Sequence, residues 1–410
     1  MTDRKPALRF VFFVVLLDLL GIGVLIPVGP RLIQQMCGGS EQEAAPVVGW
    51  LGATFSAMVL IGSPVLGALS DRFGRRPVLL ISMLGSAIDY FAMAMVPTVS
   101  WFFVTRVING LTGASVTTAQ AYIADVTPPE KRAAGFAMFG AAASLGFVLG
   151  PLVGGFLGDH DLRLPFWVAG GLALLNGLYG WFVLPESLPP ERRTRHAVRS
   201  PFAALAVLNH YTLAKRLAIA LFLANMAQFL LHSTWALYTA HRYAWRPSDV
   251  GWSLFAVGVG GALVQGGVAR RIVPRLGERR SILIGLALAV LAYVGYATAS
   301  HGWMIYVAIT VAAFGGIAMP ACQSLITKSV RPDQQGVVQG GLTSVASLSQ
   351  IIGYPLGAHV FEWSIGPAES WAPAGMVYFT SAILCALGLL SARFTLRHAE
   401  PPAPAPGVTP

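Results

Sequence analysis

Apolar stretches of about twenty residues recur along nearly the whole 410-residue chain, separated by short polar turns. About 20 apolar residues form a helix that crosses a bilayer. With 55% hydrophobic and only 11% charged residues, the composition lies far from that of soluble domains, in which about a quarter of residues are charged. The sequence therefore predicts an all-α membrane protein with twelve transmembrane helices. The predicted spans are 8–28, 47–70, 77–96, 100–123, 133–157, 164–184, 217–240, 249–269, 280–299, 302–325, 336–361 and 370–392.

The net charge of +10 is distributed as membrane topology requires. Lys and Arg gather in the two termini and in every second loop, and loops rich in Lys and Arg stay in the cytoplasm. We therefore expect both termini to be cytoplasmic, and we expect a bilayer rather than nucleic acid as the partner. Five arginines lie elsewhere, namely Arg31, Arg106, Arg163, Arg242 and Arg246.

The longest internal polar stretch, residues 185–216, follows the sixth span and divides the chain into halves. RFGRR at residues 72–76 is matched by RLGER at residues 275–279, an offset of 203 positions, and Pro129 and Pro332 share that offset. The repetition predicts two pseudo-symmetric six-helix bundles, as in transporters built from repeats. The predicted domains are a first bundle (1–184), a cytoplasmic linker (185–216), a second bundle (217–392) and a disordered tail (393–410). Asp71 has no acidic counterpart in the second half, because Pro274 occupies the matching position.

The most specific motif is GALSDRFGRRP at residues 67–77, between the second and third spans. Its glycines favour a short loop that reverses between two helices, and its arginines place that loop in the cytoplasm. Asp125, at the end of the fourth span, is close enough in topology to pair with Arg75; the alternative is an ordinary solvated helix end. The residues of this predicted gating motif are Gly67, Asp71, Arg72, Gly74, Arg75, Arg76 and Asp125.

Three ionisable side chains interrupt the spans of the first half, namely Asp18, Asp89 and Arg106. An ionisable side chain in a span costs at least about 2.5–3.5 kcal/mol, so each is a functional candidate. A buried Asp with a movable cationic partner can load and release a proton. We therefore interpret the three residues as a proton-coupling group, the alternative being a fixed ion pair that only joins helices.

Polar residues in the second half are candidates for lining a substrate cavity. Asn225, Gln228 and His232 follow at helical spacing on one face of the seventh span, and Gln265 and Gln323 lie in later spans. The alternative is that they form hydrogen bonds between helices, and for His232 this alternative is favoured.

The fifth span contains GFVLGPLVGG at residues 146–155, with small residues at four-residue spacing and one proline. Glycine lets membrane helices approach closely and proline bends them. Tight packing alone would explain the run, whose key residues are Gly146, Gly150, Pro151, Gly154 and Gly155.

The loop motif resembles that between the second and third helices of the major facilitator superfamily, a family of twelve-helix transporters. The fifth-span run resembles the motif of the antiporter branch, which implies export. In that family the acid at the end of the fourth helix joins the loop Asp and Arg in an ion-pair latch. The resemblance thus implies this role for Asp71, Arg75 and Asp125.

Longer strings are similar to the tetracycline efflux transporters from residue 18 to about residue 371. They include LDLLGIGVLIPVGP at 17–30, AYIADVTPPEKRA at 121–133, LPES at 184–187 and QGVVQGGL from residue 335. The resemblance assigns the membrane acids to Asp18 and Asp89, the arginine of the fourth helix to Arg106 and the loop acid to Asp71. It also implies a multi-pass protein of the bacterial inner membrane that works as a monomer.

Three positions depart from the tetracycline-exporter pattern. The ninth-helix acid of that family falls on Ala289, the eighth-helix histidine on Gly261 and a second-helix glutamine on Val59. Those transporters bind a drug–metal chelate that carries positive charge, so a missing acid weakens the case for that substrate.

The sequence favours a proton-driven antiporter that exports an amphipathic drug, such as a tetracycline, by alternating access. The alternative is a transporter of the same fold for another metabolite or toxin. An enzyme is disfavoured, because GxSxG, HExxH and Walker motifs are absent from the sequence. We expect no cofactor beyond the proton gradient, no metal site, and a divalent metal only as part of a chelated substrate.

Overall fold

A computed structural model describes residues 8–113, 115–194, 201–331, 334–366 and 373–398, and these residues form helices and short connections without a β-strand. The helices that begin before the linker are α1 (Leu8–Leu25), α2 (Gly29–Met36), α3 (Glu41–Phe73), α4 (Arg75–Met95), α5 (Val99–Thr112), α6 (Ser115–Val126), α7 (Arg132–His160) and α8 (Leu164–Val183). Those that follow are α9 (Pro201–Leu208), α10 (Thr212–Tyr243), α11 (Pro247–Leu263), α12 (Ala269–Leu276), α13 (Glu278–Thr298), α14 (Gly302–Gly315), α15 (Ala318–Lys328), α16 (Gln335–Ile365) and α17 (Met376–His398).

Ten helical segments of the described residues are long and apolar enough to cross a membrane. Two predicted spans fall outside these ten. The fourth is divided between α5 and α6, and the eleventh corresponds to the 31-residue α16. The all-α membrane fold is thus confirmed, and twelve transmembrane helices are consistent with it.

Several predicted boundaries were wrong, and the loop at residues 67–77 was the largest error. Helix α3 continues to Phe73 and α4 begins at Arg75, so the reversal needs only Gly74. Gly74 has φ of +105°, a conformation that side chains with a Cβ rarely adopt. Gly67 is an ordinary helical residue with open space beside it. Polar side chains concealed this helical extension, because it projects beyond the apolar stretch.

The eighth predicted span also differs from a simple helix. Helices α11 and α12 are joined by one π-helical turn, Val264–Val268, which contains Gln265. Since a π turn adds one residue to the helical repeat, it changes which side chains share a face on either side of it.

The described residues group into two compact units. The first draws on Met1–Arg199, His232–Val259 and Tyr354–Met376, and the second on Ser200–Leu231, Gly260–Gly353 and Val377–Pro410. The predicted domain boundaries stay a prediction. The predicted disordered tail falls partly on residues 399–410, which lie outside the described residues.

Among the described residues of the first unit, two apolar clusters stand out. One includes Val24, Leu51, Tyr90 and Phe166, and the other Leu79, Met83, Tyr122 and Ile123. In the second unit, Val264, Ala269 and Ile317 form a smaller cluster where the π turn meets α15 and its neighbours. The three cysteines, Cys37, Cys322 and Cys385, are unpaired.

Candidate functional site

A buried polar cluster joins α4 to α5 inside the first unit. Asp89 of α4 exposes only 1% of its side chain. Its Oδ2 lies 3.0 Å from Nη2 of Arg106 and accepts a second hydrogen bond from Nδ2 of Asn109. Arg106 also lies over the ring of Phe55, 5.7 Å from the ring centre. The structure thus brings two of the three predicted proton-coupling residues together and adds Asn109 and Phe55.

Asn109 carries a recognisable signal in the sequence. It follows Arg106 by three residues, and side chains at this spacing share one face of a helix. Phe55 carried no comparable signal, because an aromatic residue in a membrane helix is common and its contact joins α3 to α5.

Asp18, the third predicted residue, lies in a different place. Its side chain is half-buried on α1 and lines a small cavity beside Leu79, Ala119 and Phe139. It is not among the residues that line the larger cavity described next. Asp18 therefore borders a different cavity from the one that adjoins the Asp89–Arg106 cluster.

A cavity of about 250 Å³ lies against the Asp89–Arg106 cluster within the first unit. Its wall is mainly apolar and aromatic, with Phe55, Phe102 and Phe166 among the lining residues. Arg106 and Asn109 reach its surface, whereas Asp89 does not. An apolar pocket with a few convergent polar groups is the usual form of a small-molecule site.

His232 is accessible and lines the cavity, as predicted. Tyr354 of α16 also lines it, although its position in the sequence carried no signal. The other four predicted cavity residues belong to the second unit. There Gln228 accepts a hydrogen bond from Tyr293 OH at 3.2 Å, which joins α10 to α13. Asn225, Gln265 and Gln323 stay predictions as cavity residues.

The gating motif forms an ion-pair cluster at one end of the first unit. Arg75 lies 2.5 Å from Asp71 and 3.1 Å from Asp125, and it donates to Ser70 Oγ at 2.6 Å. The structure therefore brings together the three residues that the sequence suggested. Asp71, Arg75 and Asp125 together form the loop cluster.

Glu186 holds this end of the first unit together, although in the sequence it stood out only as part of the LPES string. Its carboxylate accepts hydrogen bonds from the backbone N–H groups of Arg75 at 2.9 Å and Arg76 at 3.3 Å. Gly74, which precedes α4, provides no side-chain cap. Glu186 thus caps α4 from the start of the linker, where a negative charge is also favoured by the helix dipole.

Further hydrogen bonds join the linker and the end of α8 to the region around the loop cluster. Ser187 Oγ donates to Asp125 at 3.3 Å, and Thr194 N donates to the Asp71 carbonyl at 3.1 Å. Arg76 donates to the Trp181 carbonyl at 2.7 Å, at the end of α8. Arg72 lies against the Phe73 ring, 5.0 Å from its centre. The linker therefore packs directly on the loop cluster.

The second unit repeats this design with the charges exchanged. Gly277 precedes α13 with φ of +78°, as Gly74 precedes α4. Glu278, 203 positions after Arg75, lies 2.5 Å from Lys328, 203 positions after Asp125. The Arg75–Asp125 pair of the first half thus corresponds to the Glu278–Lys328 pair of the second half, with the two charges exchanged.

The glycines of the antiporter motif lie on two faces of α7. Gly146, Gly150 and Gly154 face the α1 backbone; a Cβ at Gly150 would lie 2.7 Å from Leu20 O. Gly155 faces the start of α11, where a Cβ would lie 2.5 Å from Pro247 O. Two further contacts join α7 to α11. The carbonyl oxygen of Pro151 lies against Gly251, and the ring of Phe156 packs edge-on to that of Trp252. Only residues without a Cβ allow both approaches.

The end of the first unit opposite the loop cluster is held by a second polar group. Glu41 of α3 lies 2.8 Å from His241 Nδ1 and 3.8 Å from Arg31. Arg31 also donates to the Trp245 carbonyl at 2.7 Å. These contacts join α2 and α3 to the end of α10.

The positions that depart from the tetracycline-exporter pattern have packing roles or open space. Ala289 lies where α13 approaches α14, with its backbone nitrogen 3.2 Å from a Cβ placed on Gly315. Val59 approaches Gly110, and Gly261 has open space beside it. Within the described residues, no three His, Cys, Asp or Glu side chains lie together as metal ligands.

Comparison with known proteins agrees with this architecture. The family model "Major Facilitator Superfamily" matches residues 11–353 and 217–409. The class C tetracycline resistance protein of Escherichia coli is 36% identical over 92% of this chain and 94% of its own length, and the class B protein of Escherichia coli is 32% identical over 95% and 96%.

Among solved structures, the human organic anion transporter MFSD10 (TETRAN) is 26% identical, with a TM-score of 0.69 over 96% of this chain and 100% of that one. The family model and the two relatives each cover most of this chain. The chain therefore belongs to the major facilitator superfamily, and it is a multi-pass membrane transporter of small molecules rather than an enzyme.

Proposed function

We propose that this protein exports a tetracycline or a related amphipathic drug in exchange for protons, by alternating access. The observation that carries the proposal is the Asp89–Arg106 pair, buried in the membrane region and adjoining an apolar cavity. The similarity to the class C and class B tetracycline resistance proteins over more than nine-tenths of the chain supports the drug class.

The geometry suggests how substrate and proton exclude one another. Arg106 borders the cavity on one side and pairs with Asp89 on the other. When Asp89 takes up a proton, its attraction for Arg106 falls, and the guanidinium extends into the cavity. A drug that enters the cavity pushes Arg106 back onto Asp89, and the restored ion pair expels the proton. Asp18 contributes a second protonation site in its own small cavity.

The loop cluster and the polar group of Glu41, Arg31 and His241 hold opposite ends of the first unit in this mechanism. Alternating access requires that each end can close while the other opens. Ion pairs suit this task, because partly exposed pairs contribute only about 0–1 kcal/mol each and break at small cost. We propose a bacterial inner-membrane location with both termini in the cytoplasm, a functional monomer, and no cofactor.

The energy source is adequate for drug export. One proton that moves down a membrane potential of about 100 mV provides about 2.3 kcal/mol, which supports a gradient of roughly fortyfold for a neutral solute.

The test is uptake of radiolabelled tetracycline into everted membrane vesicles, with and without a proton gradient. Asp89→Asn should abolish gradient-driven uptake, because the amide cannot carry the proton. Asp161→Asn is the matched control: this exposed carboxylate accepts from Arg163 N at 2.7 Å, a bond that Asn preserves. Gradient-independent uptake, or full uptake by Asp89→Asn, would contradict the proposal.

A second candidate is transport of a different amphipath by the same fold. Ala289 and Gly261 favour it, since they stand where tetracycline exporters have an acid and a histidine. The similarity to the human organic anion transporter broadens the range of compounds to test. Competition of unlabelled organic anions against tetracycline uptake distinguishes the two candidates.

A further inference from the structure

The charge on the cavity wall is unusual for a site that takes up a cation. Among the lining residues, Arg106 is the side chain with a permanent charge. Asp89 lies behind it, 1% exposed, with Oδ2 3.0 Å from Arg106 Nη2. Nε of Arg106 is buried without a hydrogen-bond partner among the described residues. A bound drug therefore meets the guanidinium and not the carboxylate.

The second half of the chain offers no carboxylate in the middle of a membrane helix. Helices α10 to α17 contain three acidic residues, Asp249, Glu278 and Glu362, and each lies within four residues of a helix end. Glu278 pairs with Lys328, and Glu362 lies 2.9 Å from His359. Ala289, which stands where the tetracycline exporters have an acid, lies at the contact between α13 and α14.

A cationic substrate would therefore be bound less well than a neutral one. Consider a substrate with one net positive charge ~6 Å from Arg106 and ~9 Å from Asp89, in an effective dielectric constant of ~20. Repulsion by Arg106 then exceeds attraction by Asp89, and the difference weakens binding by roughly fivefold. A substrate without net charge avoids this penalty.

We propose that the transported species is an amphipathic drug without net positive charge, so that a tetracycline binds free of metal and not as a cationic chelate. This inference rests on the proposed function for its drug class. It has an electrical consequence. Exchange of a neutral drug for one proton moves one positive charge inward, whereas exchange of a monocation for one proton moves none. Transport of the neutral drug therefore responds to membrane potential as well as to the pH gradient.

The experiment measures tetracycline uptake into everted vesicles in EDTA and in excess Mg²⁺, with the pH gradient collapsed and a potential, inside positive, imposed by K⁺ and valinomycin. We expect potential-driven uptake in EDTA and roughly fivefold less in Mg²⁺. Uptake that requires Mg²⁺ and ignores the potential would support tetracycline export and overturn this inference.

Equilibrium dialysis of the purified protein with tetracycline separates the inference from the proposed function. Binding in EDTA that exceeds binding in Mg²⁺ roughly fivefold supports the inference even where vesicles show no transport. Arg106→Gln should remove most of this difference, because the cation that repels the chelate is gone. Equal or tighter binding of the Mg²⁺ chelate to the native protein would overturn the inference.

Discussion

Replacement of Glu186 by alanine should destabilise the end of the first bundle that contains the loop cluster. The carboxylate accepts from the backbone N–H groups of Arg75 and Arg76, and also from those of Ser187 and Leu188 at 3.0 Å each. Alanine leaves the first turn of α4 without a cap, since Gly74 has no side chain to replace it. It also weakens the packing of the linker on the loop cluster, where the contacts of Ser187 and Thr194 remain.

The size of the effect follows from these contacts. Loss of a helix cap costs about 0.5–2 kcal/mol, and loss of a negative charge at a helix N-terminus costs about 0.3–1 kcal/mol more. Ser187 and Leu188 N–H groups become hydrated and add little. The expected cost is about 2 kcal/mol, which changes the population of the closed end by roughly thirtyfold. Glu186→Gln keeps one acceptor oxygen and should lose about half as much.

The assay combines thermal unfolding in detergent with the rate at which a Ser70→Cys protein, with Cys37, Cys322 and Cys385 replaced by Ser, reacts with a soluble maleimide. Ser70 is buried in the native protein, so its reactivity reports opening of this end. Glu191→Ala is the control, because Glu191 is exposed in the same linker. Maleimide reactivity at residue 70 should be highest in the Glu186→Ala protein, intermediate in the Glu186→Gln protein and lowest in the native protein. Equal reactivity of the Glu186→Ala and Glu191→Ala proteins would refute the capping role.

Three further predictions concern packing, the second unit and the buried cluster. Gly154→Ala should lower the free energy of unfolding by about 1–3 kcal/mol in thermal melts, because its Cβ would overlap the α1 backbone; Gly140→Ala, on the same helix with open space beside it, should be nearly neutral. Glu278→Lys should slow drug uptake, and the double exchange Glu278→Lys with Lys328→Glu should restore it; failure of that rescue would exclude a pairing role. Asn109→Leu removes a donor from the Asp89 carboxylate and should reduce gradient-driven uptake about tenfold, while unchanged uptake would limit Asn109 to packing.

The fold was predictable because membrane helices have a strong signature in a single sequence. Length, apolar composition and the loop arginines identified an all-α membrane fold, with which the predicted twelve transmembrane helices are consistent. Boundaries failed where helices extend beyond the apolar region, as α3 does through Asp71 to Phe73. Two further features escaped prediction, namely the division of the fourth span between α5 and α6 and the π turn after α11. An apolar stretch has the same appearance in the sequence whether its helix is continuous, interrupted or contains a π turn.

The site was partly predictable for a different reason. Asp89 and Arg106 are costly to bury, so their presence in spans signals function before any geometry is known. Asp18 gave the same signal but lies in a separate cavity. Phe55, Tyr354 and Glu186 gave little signal, because their roles depend on contacts between distant segments. Such contacts follow from the tertiary packing of helices and not from local spacing.

Drug-induced proton release from the purified protein tests the central claim most directly. A concentrated detergent solution of the protein, weakly buffered and with a pH-sensitive dye, is mixed with saturating drug. We expect release of up to about one proton per chain near the pH at which half of the sites are protonated, and none from the Asp89→Asn protein. Saturable drug binding without proton release, or equal release from both proteins, would contradict exchange at the Asp89–Arg106 pair.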